Sequence, residues 1–150
     1  MANVPKAVGA SSKIRIDRIK RRADFLRAPK FRRQFTPGLT LEACPSPGDV
    51  PSAICRVGFT ASRKVGSAVK RNRAKRRLRA AAAEILPLLG RTGHDYVLVA
   101  KVATLSRPYA ALLADLTKAL TGAHAEFEAL AKRGQSGPRK DDEAGNERKR

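Results

Sequence analysis

Acidic residues are scarce in this sequence. Thirteen Asp and Glu stand against thirty-two Lys and Arg among 150 residues, a formal charge of +19. From Pro51 to Ala83 there is no carboxylate at all. A surplus of that size repels itself in the folded chain and draws polyanions close, so nucleic acid and an anionic membrane surface are the partners that fit it. The shortage also argues against a nuclease made of protein alone. Asp24, Glu42, Asp49, Glu84 and Asp95 are scattered without the spacing of a metal site or an acid/base pair.

Long apolar runs are missing too. The best one, Ala80 to Leu89, is short and carries Glu84 and Pro87, well below the roughly 18 apolar residues of a spanning helix. Lys13 to Arg22 is dense with charge where a signal peptide would be apolar. No membrane partner and a cytoplasmic location are expected. Cysteine is nearly absent: Cys44 and Cys55 are the only two, better read as reduced thiols than as a disulfide framework. Neither lies near His94 or His124 at ligand spacing, so no bound metal is expected.

An apolar share of 42% is ordinary, and the chain is long enough for one domain with a real core. Residues 1–12 read as a flexible tail, 13–131 as the folded domain, and 132–150 as a charged, disordered tail. Ile16, Ile19, Ala23 and Leu26 recur at helical steps, predicting a short helix within Lys13 to Lys30 that ends at Pro29. Leu39 to Cys44 alternates as a strand, with Leu39, Leu41 and Ala43 on one face. Three prolines make Pro45 to Ser52 a loop. In the next strand Cys55, Val57, Phe59 and Ala61 face one way. Ile54, Arg56, Gly58 and Thr60 face the other, and continued alternation adds Ser62 and Lys64. A helix follows from about Ser67 to Leu86, then a buried strand from Tyr96 to Lys101. A last helix starts near Thr104 and Pro108, and Gly122 is a candidate break in it. The order predicts an α/β two-layer sandwich, a small sheet with helices on one face and a polar face left open.

Seven of the ten residues from Lys70 to Arg79 are Lys or Arg. At about 100° per residue, Ala74, Leu78, Ala81 and Ile85 form the core stripe. Asn72, Arg76 and Arg79 lie opposite, with Lys75 beside them and Arg73 on the shoulder. Arg71 and Arg77 flank the stripe, their stems free to lie over the core. Like charges at helical neighbours each cost a few tenths of a kcal/mol, a burden without return unless a polyanion binds. Arg predominates, and its planar fork suits phosphates and base edges, whether of RNA or DNA.

The stretch Arg56-Val-Gly-Phe-Thr-Ala-Ser-Arg-Lys-Val-Gly-Ser-Ala-Val-Lys-Arg-Asn-Arg-Ala-Lys-Arg-Arg-Leu-Arg79 resembles the signature of the bacterial ribonuclease P protein family. Its hallmark is an Arg-Asn-Arg helix, here Arg71-Asn72-Arg73, preceded by a Lys-x-Gly-x-Ala-Val segment, here Lys64 to Val69. Ala23-Asp24-Phe25-Leu26 is similar to the family's first helix and Asp95 to Lys101 to its last strand. The resemblance implies a fold like a domain of ribosomal protein S5, with a left-handed crossover through the Arg-Asn-Arg helix. It implies a protein subunit with no catalytic residue of its own. Its partners would be a catalytic RNA and precursor tRNA, with no obligate protein partner and Mg²⁺ at the RNA active site. Arg71, Asn72, Arg73, Lys75, Arg76 and Arg79 would face the catalytic RNA. Phe25, Thr60, Ser62, Arg63 and Lys64 would receive the single-stranded 5′ leader, the aromatic ring stacking on bases and the cations holding the backbone. The family's second aromatic, one turn after Phe25, is Pro29 here, with Phe31 as the candidate substitute. A ribosomal or ribosome-assembly protein is the alternative reading. A DNA-binding module comes third, with no helix-turn-helix pattern behind it.

Overall fold

A computed structural model describes residues 14–132; both expected tails lie outside them, apart from Lys132. Five strands form one mixed sheet: β1 (Arg15–Arg18), β2 (Arg32–Phe35), β3 (Leu39–Pro45), β4 (Ile54–Thr60) and β5 (His94–Ala100). Their spatial order is β1-β4-β5-β3-β2. β1, β4 and β5 run parallel, and β3 is antiparallel to both β5 and β2. Three α-helices accompany them: α1 (Arg22–Arg27), α2 (Ala68–Leu89) and α3 (Tyr109–Lys132).

The two long helices share one face, as the alternation predicts. α2 packs over β1, β4 and β5, and α3 over β2 and β3. Between helices and sheet lies the main core, in which Leu39, Leu41, Leu78, Leu86, Tyr96, Leu98, Leu112 and Leu116 are fully enclosed. The short α1 and the 3₁₀ turn after it (Ala28–Lys30) cross part of the opposite face. There Ile19, Ala28, Cys44 and Val97 make a second, smaller cluster with Phe25 and Phe31. The polar face is therefore only partly open. Cys44 and Cys55 are free and buried, one in each cluster and so on opposite sides of the sheet. Burial pushes their thiols up to about 11 and about 12.

Several predicted elements are corrected by long-range pairing. In place of a helix across Ile16 and Ile19, residues 15–18 form a parallel strand from Arg15↔Ile54 to Arg18↔Val57. Ile19 N–H continues the ladder onto the Val57 carbonyl at 2.9 Å. Ile14 and Ile16 turn to the main core at period two, so only α1 remains of the helix. β2, Arg-Arg-Gln-Phe, has no apolar alternation of its own and exists as the hairpin partner of β3. β4 stops at Thr60, and residues 63–65 form a 3₁₀ turn capped by Ser62, whose hydroxyl accepts the Lys64 N–H at 3.3 Å. Ser62 and Lys64 thus leave the strand face. Thr104 caps a 3₁₀ turn by accepting the Lys101 N–H, and α3 begins only after Pro108. Gly122 does not break α3. A Cβ there would lie 2.5 Å from Gln34 Oε1, so glycine lets the edge strand approach the helix.

Candidate RNA interface

The basic helix forms by local rules. Ser67 accepts the Lys70 N–H at 3.3 Å as an N-cap. The preceding Gly66 holds φ +141°, a conformation that side chains rarely adopt. Ala74, Leu78, Ala81, Ala82 and Leu86 are buried. Asn72, Arg73, Arg76 and Arg79 are exposed, and Arg71 and Lys75 half-buried. Asn72, Lys75, Arg76 and Arg79 join Val69 around a shallow cup of about 310 Å³. Val69 is 76% exposed at the start of that face.

Two of the helix's arginines are anchored. Arg77 donates to the Leu105 carbonyl at 2.9 Å and to the Arg107 carbonyl, stapling α2 to the start of α3. The Arg79 guanidinium lies over the Phe59 ring, 5.5 Å from its centre. Among the described residues no carboxylate pairs with Arg71, Arg73, Lys75, Arg76 or Arg79. The buried Arg71 Nε has no hydrogen-bond partner either. Among the described residues the ridge is a cationic surface without paired counterions.

A second surface lies across the sheet, where α1 meets the open strand face. Phe25 rests directly on Gly58: a Cβ at that position would be 2.4 Å from Phe25 Cε1, so only glycine lets the ring settle onto β4. Beneath α1 a buried ionic network fixes its seat. Arg56 forks onto Asp95 at 2.9 and 2.6 Å and reaches Asp24 at 3.1 Å. Arg27 donates to Asp24 at 3.0 Å, to Asp95 at 3.3 Å and to the Pro45 carbonyl at 2.8 Å. The Ser46 hydroxyl completes Asp95 at 2.7 Å. Two carboxylates thus face two guanidiniums, and the Asp95 partnership holds the Arg56 pKa above its ordinary value.

Between α1 and the strands runs a groove of about 530 Å³. Phe25 and Leu26 form one wall, Thr60, Val97, Val99 and Glu42 the floor, and Lys20 and Arg22 the rim. Burial pushes the Glu42 carboxyl above its usual range, and Arg33, 3.9 Å away, opposes that only in part. Of the residues expected at a leader site, Phe25 and Thr60 meet in this groove. Ser62, Arg63 and Lys64 are exposed on the turn between β4 and α2, past the strand end. Phe31 is half-buried in the second cluster, packed as core. Lys20, Arg22 and Glu42 were not anticipated as lining residues. Alternation along β3 puts Glu42 opposite Leu41 and was the available signal for it.

Among the described residues no cluster of three His, Cys, Asp or Glu is placed to hold a metal ion, and no helix is long and apolar enough to cross a membrane. Comparison with known proteins gives one answer. The family described as Ribonuclease P matches residues 15–124. The chain is 52% identical over 108 residues to the ribonuclease P protein component of Paramagnetospirillum magneticum, covering 71% of this chain and 81% of that one. It is 46% identical over 123 residues to that of Ruegeria pomeroyi, covering 81% and 98%. The solved RNase P protein of Staphylococcus aureus shares the fold at a TM-score of 0.58, with 24% identity over 71% of this chain and 94% of that one. These matches do not favour the ribosomal alternative. The chain belongs to the ribonuclease P protein family and is the protein subunit of a tRNA-processing endoribonuclease ribonucleoprotein.

Proposed function

We propose that the two surfaces divide the work of this subunit. The α2 ridge, Arg71, Asn72, Arg73, Lys75, Arg76 and Arg79, faces the catalytic RNA. The groove beside α1 receives the 5′ leader of precursor tRNA, with Phe25 as stacking platform and Thr60 on the floor. Ser62, Arg63 and Lys64, exposed on the intervening turn, hold the leader backbone where it passes from one surface to the other. The chemistry belongs to Mg²⁺ held by the RNA, and no side chain of this chain enters it. No further protein is required, and the complex works in the cytoplasm.

The observation that carries this reading is the ridge itself: five cations on one helix with no carboxylate paired to them among the described residues. A helix that served only packing would mix signs, whereas counterion release from bound RNA offsets the repulsion here. The groove adds an aromatic wall with cations on the rim, a combination that suits single strands of varied sequence. Reconstitution with a bacterial ribonuclease P RNA tests the whole. At low Mg²⁺ the protein should raise precursor-tRNA cleavage above that of RNA alone. Absence of stimulation refutes the reading, and cleavage by the protein without RNA would assign the chemistry to the protein.

A further inference from the structure

The register of the sheet leads from the groove to the edge strand β2. Thr60 pairs with Val99, Val99 with Thr40, and Thr40 with Phe35. These four residues form one row across β4, β5, β3 and β2, on the face that α1 and the 3₁₀ turn after it partly cover; Thr40 is buried within the row and Thr60 and Phe35 reach the surface at its ends. The next row is Gly58, Val97, Glu42 and Arg33. Phe25 sits over its first member and Arg33 ends it. Phe35 is 65% exposed at the far end of the first row. Arg33 covers one side of its ring, with the guanidinium carbon 5.4 Å from the ring centre.

β2 is short and carries two arginines, features that guard an edge strand against pairing with other chains, and a large exposed ring stands out on it. Its place is explained if the ring has a ligand. Strands lie about 4.8 Å apart, so the row from Thr60 to Phe35 crosses roughly 14 Å, room for a few nucleotides. The guanidinium on one side of the ring leaves the other side free for a base and brings positive charge beside the backbone.

We propose that Phe35, backed by Arg33, is a second stacking platform for single-stranded RNA. It takes a leader base farther from the cleavage site than the one at Phe25. The inference rests on the groove being the leader site. It makes leader affinity depend on length: a short leader ends before β2, and a longer one gains the second platform.

The test uses the holoenzyme reconstituted with its catalytic RNA and precursor tRNAs whose leaders increase in length. Phe35→Ala should weaken binding of long-leader substrates by roughly 5- to 150-fold, the range for one stacked base. Short-leader substrates and mature tRNA should bind as before, and Phe35→Tyr should bind like the parent. A 2-aminopurine placed in the distal leader should lose its quenching in the alanine variant. The exposed position makes a folding defect unexpected, and an unchanged thermal midpoint checks that. Equal losses at every leader length, or no loss at any, overturn the proposal. Phe25→Ala measured in parallel separates the two readings. If it abolishes leader dependence while Phe35→Ala does nothing, only the second platform falls. If neither variant alters leader dependence, the groove itself is not the leader site.

Discussion

Two groups of arginine in this fold are built on opposite principles. Arg56 is buried and forked onto Asp95 with Asp24 close by, and Arg27 completes a network of two cations and two carboxylates. On α2, Arg73, Arg76 and Arg79 are exposed and no carboxylate among the described residues answers them. The first cluster has spent its charge inside the fold, since a buried guanidinium is tolerable only when it is paired and hydrogen-bonded. The second keeps its charge for something outside. Neither net charge nor an arginine count separates the two; the placement of acidic partners does.

The largest effect expected from breaking this contrast is at Asp95. Asp95→Ala leaves the buried Arg56 and the part-buried Arg27 with one carboxylate between them. Removing one partner of a buried pair costs about 3–5 kcal/mol, a large share of a small domain's stability. Urea denaturation should show the midpoint falling accordingly. Arg73→Ala on the ridge should leave the midpoint unchanged or slightly raised, because it relieves like-charge neighbours. A ridge variant that destabilised as much as Asp95→Ala would erase the distinction.

The next effect concerns what the buried network holds in place. Asp24 and Arg27 belong to α1, and α1 carries Phe25 onto Gly58. Phe25→Ala should weaken binding of precursor over mature tRNA by about 1–3 kcal/mol, the contribution of one stacked base. Affinity for the catalytic RNA alone should not change. Equal losses for precursor and mature tRNA would show that the ring serves packing only.

How far the sequence revealed each cluster follows from how local it is. The α2 ridge was legible because a helix is read from its own residues. The step of Ala74, Leu78 and Ala81 fixes the buried side, and the basic positions fall opposite. The ionic network was not legible, because Asp24, Arg56 and Asp95 lie far apart along the chain and meet only when α1 folds over β4 and β5. β1 was hidden for the same reason. Its isoleucines fit a helical step as well as a strand, and pairing with β4 decided between them. Ser62 and Lys64 went astray differently. Alternation was carried past Thr60, although a serine two residues before a lysine N–H is also a turn cap. The row ending in Phe35 needed the register of four strands, which no local pattern encodes.

The smallest effect is the most diagnostic. If each exposed ridge cation meets one phosphate, Arg73→Ala or Arg76→Ala should lower the salt dependence of catalytic-RNA binding by roughly 0.7 to 0.9 in log–log slope. Between 50 and 200 mM salt that is only about a threefold change in the affinity ratio, so complete titrations are required. Arg77→Ala is the internal control on the same helix. Its guanidinium is committed to the Leu105 and Arg107 carbonyls, so its loss should reduce stability and leave the slope alone. If Arg77→Ala moved the slope as much as Arg76→Ala, the RNA would be answering net charge and not the ridge. If neither moved it, α2 would not be the RNA face.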